Sequence, residues 1–164
     1  MKAQIRSVLL VFAVAAFITI TAIPAFATFP GKNGRIAFVN GPDIYTMNPD
    51  GSDQRQITDF GSMSWAPYMH PSGQYIIFSS NKLGFENFEL FMVDSQGTKE
   101  PVRVTYSDGF DGLPVPSPDG KQLAWTSTRS GSGSGGQLFL AQWNHEKALE
   151  AIKNAPPKKP SKKP

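Results

Sequence analysis

Ser64-Trp-Ala-Pro-Tyr-Met-His-Pro-Ser-Gly-Gln-Tyr-Ile-Ile-Phe-Ser-Ser80 decides how the rest of the chain is read. A Pro71-Ser72-Gly73 turn leads into Gln74 to Ser79, where apolar side chains have the spacing of a strand with a buried face. The unit recurs. Gly34-Arg-Ile-Ala-Phe-Val39 lies upstream and Ser117-Pro-Asp-Gly-Lys-Gln-Leu-Ala-Trp-Thr126 downstream, so Gly34, Gly73 and Gly120 mark intervals of 39 and 47 residues. Roughly 40 to 50 residues per unit is the size of a four-stranded propeller blade.

Each turn-and-strand is followed by a second apolar segment, and the three align without gaps: Asp43-Ile-Tyr-Thr-Met47, Glu89-Leu-Phe-Met-Val93 and Gln137-Leu-Phe-Leu-Ala141. The first two run into tight-turn chemistry, Asn48-Pro-Asp-Gly51 and Asp94-Ser-Gln-Gly97, where glycine supplies the positive φ that such turns need. Third segments follow at 54–58 and 101–106, and fourth ones at Ser62-Met-Ser-Trp-Ala66 and Gly112-Leu-Pro-Val-Pro116. The expected fold is therefore all-β, a partial β-propeller of about two and a half to three blades at 34–61, 62–111 and 112–143, with three, four and three strands. A short helix over 144–152, capped by Asn144, is expected to follow.

The ends differ from this body. Lys2 and Arg6, an apolar run from Val8 to Ile23, and Ala25-Phe26-Ala27 read as a signal peptide over 1–27 cleaved after Ala27, which makes the protein exported. There is no cysteine, so the exported chain is held together by burial and not by disulfides. Residues 28–152 carry nine basic against thirteen acidic residues, whereas five lysines crowd the last twelve positions. From Lys153 on, proline and lysine dominate, and a disordered tail over 153–164 is expected, able to touch anionic surfaces.

The repeats Gly34-Arg-Ile-Ala-Phe, Asp43-Ile-Tyr-Thr-Met-Asn-Pro-Asp-Gly51 and Ser117-Pro-Asp-Gly-Lys-Gln-Leu-Ala-Trp125 resemble those of TolB-type β-propeller proteins. That resemblance covers residues 33 to 143. It implies a non-catalytic periplasmic or secreted module that binds protein or cell-envelope polymer through blade loops. The alternative it implies is a truncated propeller portion of a peptidase-like or polysaccharide-active enzyme.

The run Gly131-Ser-Gly-Ser-Gly-Gly136 lies between two strands, where a dinucleotide fingerprint needs a strand passing into a helix. His145-Glu146 lacks the second histidine one turn on that a zinc-protease helix needs. The acidic turns Asp50-Gly-Ser-Asp53 and Asp108-Gly-Phe-Asp111 offer two carboxylates each, fewer than calcium loops supply. Neither cofactor, metal nor catalytic residue is expected, and the chain is read as a non-enzyme. An exported, slightly acidic body also argues against nucleic acid. Trp65, Tyr68 and His70 are the candidate binding loop, since loops at the mouth of a blade usually meet partners. Recurrent aromatics (Phe38, Tyr45, Trp65, Phe78, Phe91, Trp125, Phe139) are assigned to packing between blades. Three partial blades leave uncovered faces and edges, so self-association or instability is expected.

Overall fold

The computed structural model describes residues 34–131 and 135–160. The signal peptide expected over 1–27, residues 132–134 of the glycine run and the last four residues of the tail lie outside the described residues.

Three antiparallel sheets follow one another in chain order. The first holds β1 (Ile36–Asn40), β2 (Asp43–Met47) and β3 (Arg55–Gln56). The second holds β4 (Ser64–Met69), β5 (Tyr75–Ser80), β6 (Glu89–Asp94) and β7 (Val102–Arg103). In the third are β8 (Asp111–Pro116), β9 (Gln122–Ser127) and β10 (Gln137–Gln142). Each is a meander, which short turns make possible because antiparallel neighbours need no crossover. The expected all-β partial propeller, with three, four and three strands, is the observed one.

Strand pairing fixes the repeat more finely than the glycines do. Val39 pairs with Ile44, Ser79 with Leu90 and Thr126 with Leu138, so Ile36, Ile76 and Leu123 occupy one repeat position. Gly73 and Gly120 stand three residues before it with φ of +71° and +70°. Gly34 stands two before it and is not among the glycines with positive φ. Gly34 is thus not the turn glycine of the first repeat, and the spacing read from it is one residue short. A glycine just ahead of a strand looks alike in sequence at either place. Only the ladder tells them apart.

The pleat of β5 feeds two cores. Ile76 and Phe78, with Phe91 and Val93 of β6, pack against Ile44 and Ile57 of the first sheet. Tyr75 and Ile77, with Leu90 and Met92, pack instead on Leu123 and Trp125 of the third sheet. Alternate residues face opposite sides, and with a sheet on each side all six residues of β5 are buried.

Helix α1 (His145–Asn154) opens on Asn144, whose side chain accepts a hydrogen bond from the Lys147 backbone N–H at 3.0 Å. It lays Ala148 and Ile152 into the second core. Its last residues, Lys153 and Asn154, belong to the segment expected to be disordered. That expectation fails further along as well. The Lys158 N–H donates to Thr98 O at 2.9 Å, the Glu100 N–H to Pro156 O at 2.8 Å, and the Lys158 ammonium to Gln56 O and Ile57 O at 2.8 and 2.9 Å. Composition measures how little apolar surface the tail buries. It misses the open backbone groups of an edge that can bind it, and the low ordering cost of a segment whose prolines already fix φ.

Candidate functional site

Strands β4 and β8 are edge strands of their sheets and lie beside each other. Both break register, β4 between Trp65 and Tyr68 and β8 between Gly112 and Val115. At the break Ala66 has φ of +47° and Leu113 φ of +58°, and proline follows each. A bulge of this kind bends the strand and re-aims its side chains. Holding alanine or leucine in the left-handed region costs roughly 1–2 kcal/mol per residue, so the surrounding structure must impose it. One such restraint is the Leu113 N–H, which donates to Ser79 Oγ at 3.0 Å.

The bulges present apolar surface. Trp65 and Tyr68 are 40% and 44% exposed, and Leu113 and Val115, at the equivalent strand, are about half exposed. The Trp65 ring stacks on Phe88 with centroids 4.8 Å apart, and Phe88 lies 5.6 Å from Phe110. Gly112 makes room for that last ring, since a Cβ there would stand 2.4 Å from Phe110 Cζ. The segment joining β5 to β6 adds exposed Leu83 and Phe85. It is tied beside β4 by Asn81, whose side chain accepts from the Met63 N–H at 2.9 Å while its own N–H donates to Met63 O. Exposed aromatic and aliphatic side chains thus lie on the two strained edge strands and beside them.

Of the expected binding loop, Trp65 and Tyr68 lie in β4 rather than in a loop, and His70 is 3% exposed. His70 instead belongs to a cluster of three nearly parallel rings, 4.4 Å from Tyr75 and 4.9 Å from His145, which are themselves 5.7 Å apart. Its Nε2–H donates to Gly120 O at 3.3 Å, which leaves Nδ1 to accept from Ser72. Burial pushes the His70 pKa down, and His145 adds to the effect. The Tyr75 hydroxyl accepts from Trp143 Nε1–H at 2.7 Å and donates to His145 Nδ1 at 3.1 Å. Desolvation pushes that phenol up to about 12. His70 and Tyr75 therefore stay neutral around pH 7, and the cluster joins α1 to β5.

A cavity of about 580 Å³ lies over this cluster, lined by His70, Ser72, Asp119, Trp143 and Glu146 among others. Ser72 touches His70, but no carboxylate orients the imidazole. The Asp119 carboxylate is turned to Ser117 Oγ and the Lys121 N–H, at 2.6 and 3.1 Å. Asp53 and Asp111 of the other acidic turns are likewise committed. Asp53 pairs with Arg35 and Arg55, whose hydrogen bonds hold its carboxyl below the usual range, and Asp111 pairs with Arg129 at 2.6 Å. Among the described residues no three His, Cys, Asp or Glu side chains converge as metal ligands.

No family model matches the chain. It is 26% identical, over 53% of its own length and 29% of the relative's, to a TolB homologue of Chlorobium chlorochromatii. A dipeptidyl-peptidase 5 of Porphyromonas gingivalis is 30% identical over 67% of this chain and 17% of that protein. TolB of Acinetobacter baumannii superposes with a TM-score of 0.52 at 19% identity, over 75% of this chain and 28% of that one. The fold is of the TolB propeller type. The chain spans less than a third of each of these proteins, so the TolB-type likeness places its sheets as blades and leaves its activity open.

Proposed function

We propose that this TolB-type chain is a non-catalytic exported module that binds a protein partner through the bulged edge strands β4 and β8. The observation that carries the reading is the repeated bulge, which holds Ala66 and Leu113 in the left-handed region and turns Trp65, Tyr68 and Leu113 outward. Strain repeated at equivalent places and spent on exposing apolar groups fits a binding surface better than a packing one. Export rests on the charged start, apolar run and Ala25-Phe26-Ala27 of the sequence. A photo-crosslinker at position 68 in the producing cell should give one discrete protein adduct, absent when Trp65 is changed to Ala and absent from a control site at Gln54. Adducts equal at both sites would defeat the proposal, and adducts only to glycan would replace the protein partner with an envelope polymer.

The similarity to dipeptidyl-peptidase 5 favours a second reading, in which these blades serve a peptidase. A hydrolase encoded beside this chain that co-purifies with it would support that reading. Its absence from the adducts would remove it.

A further inference from the structure

The fold lays the two histidines of the chain on one another, their rings 4.9 Å apart and inclined by 7°. His70 follows β4, and His145 is the first residue of α1. The His70 ring is built to be neutral: Nδ1 accepts from the Ser72 N–H at 3.2 Å, Nε2–H donates to Gly120 O at 3.3 Å, and a Cβ on Gly120 would stand 2.8 Å from Nε2. A proton on Nδ1 breaks the Ser72 bond and leaves a charge in a site 3% exposed to water.

Among the described residues no group compensates that charge. Tyr75 of β5 and His145 of α1 lie against the ring, and the phenol keeps its proton. Asp119 of the turn after β8 holds its carboxylate on Ser117 Oγ and the Lys121 N–H, while Lys121 and Glu146, at the rim of the cavity, are exposed and of opposite sign. A charged His70 therefore has to reach water. Of the elements packed on it, β5 and the turns after β4 and β8 are fixed by strand ladders, and α1 is not. The helix buries two side chains, Ala148 and Ile152, so it is the part that gives way.

We propose that α1 and the strap behind it are an acid-released latch: a proton on His70 undocks residues 145–158 while the three sheets stay folded. Helix and strap are continuous, so the release reaches far. The Lys99 ammonium donates to the carbonyls of Lys153 and Ala155 at 2.9 and 3.1 Å, the strap pairs with Thr98 and Glu100, and Lys158 reaches Gln56 O and Ile57 O. Undocking opens the strand edge at 98–100 and the Gln56 and Ile57 carbonyls together. In the released form His70 is solvated, with an ordinary pKa near 6.5, and in the docked form burial holds it lower. The latch is thus closed above about 6.5 and opens below it, by at most about tenfold per pH unit. The bulges of β4 and β8 play no part in it.

Hydrogen exchange on the full chain at pH 7, 6 and 5, corrected for the intrinsic pH dependence of exchange, tests the latch. A helix of ten residues melts once released, so its amides report undocking directly. Protection of the amides of 149–154, Glu100 and Lys158 should fall by up to about tenfold per pH unit below about 6.5, while that of β5 and β6 stays unchanged. His70→Phe should flatten the dependence. Ile152→Ala should lower helix protection by one factor at every pH and keep the slope. Helix protection constant from pH 7 to 5, helix protection lost in step with β5, or a slope retained by His70→Phe would overturn the latch. Where His70→Phe does not fold, the wild-type comparison of α1 with β5 decides alone.

Discussion

Strands β6 and β10 carry nearly the same segment at the same repeat position, Glu89-Leu-Phe-Met-Val93 and Gln137-Leu-Phe-Leu-Ala141. Five of the six residues of β6 are buried, and none of β10. Their cross-strand partners also match, Phe91 facing Phe78 and Phe139 facing Trp125. What differs is the company each sheet keeps. Among the described residues, the second sheet has a neighbour on both faces, and the third has the second sheet and α1 on one face only. Burial in a stacked-repeat fold belongs to the interface rather than to the segment.

The sharpest way to break that comparison is to truncate the two equivalent leucines. Leu90→Ala removes a fully buried side chain between the second and third sheets and should cost about 2–5 kcal/mol. Leu138→Ala, measured where the chain is monomeric, should stay within about 0.5 kcal/mol. Urea unfolding of both variants gives the numbers. Equal losses would mean that repeat position, not the neighbouring sheet, sets the energy.

A second pair of equivalent positions sharpens it. Tyr75 and Gln122 follow their turn glycines by two residues, but only Tyr75 lies under α1, where its hydroxyl joins Trp143 to His145. Tyr75→Phe keeps the ring and leaves the Trp143 indole N–H without its acceptor, a loss of about 1–3 kcal/mol. Gln122→Leu should change stability by less than about 0.5 kcal/mol. A harmless Tyr75→Phe would show that α1 is held by its apolar stripe alone.

Sequence reading recovered the sheets because their information is local: turn glycines, aliphatic-aromatic pairs and strand lengths sit within a few residues of one another. It missed what depends on distant parts meeting. His70 and His145 stack face to face, and no spacing in the sequence announces it. Ala66 and Leu113 take a glycine-like conformation that neither residue type signals, so the bulges that shape β4 and β8 were invisible. Phe88 and Phe110 were overlooked for a related reason, since they fall outside the strands whose periodicity was being followed. Trp65 and Tyr68 were singled out because large aromatics near a turn stand out. His70 was grouped with them by proximity in the chain, although the fold buries it.

Acidification probes the His70 stack. Its pKa is lower in the folded chain than the ordinary 6.5, chiefly through burial, so the unfolded chain binds the proton more readily. Stability is then complete above about 6.5 and falls as pH drops from there toward the folded value, by at most about tenfold in the folded ratio per pH unit. The groups around the ring are Ser72, Tyr75, His145 and the Asp119–Lys121 turn. His70→Phe keeps an aromatic disc in the stack and should flatten the profile between pH 7 and 5. A profile unchanged by that substitution would assign the acid sensitivity to other groups.

The smallest effect is expected at the strap that follows α1. Lys158 places its ammonium on the carbonyls of Gln56 and Ile57, at the outer end of the first sheet, while its backbone bonds Thr98 beside the second. One residue therefore ties two blades together, and it does so where the first sheet has its shortest strand, the two-residue β3. The tie is costly to form. Burial disfavours the charged ammonium and lowers its pKa, and the nearby carboxylates of Asp59, Asp43 and Glu100 offset only part of that. Hydrogen bonds from a charged donor contribute about 1.5–3 kcal/mol, and because desolvation offsets part of that the net is expected at the low end, about 1.5 kcal/mol or less. Lys158→Met keeps the aliphatic stem and removes the charge, so it should lower stability by about that amount without changing the denaturant slope. Faster amide exchange confined to residues 55–60 would locate the loss at the first sheet. Exchange that also rises in β5 would mean instead that the strap supports the whole stack, and that the two outer sheets are less independent than their open faces suggest.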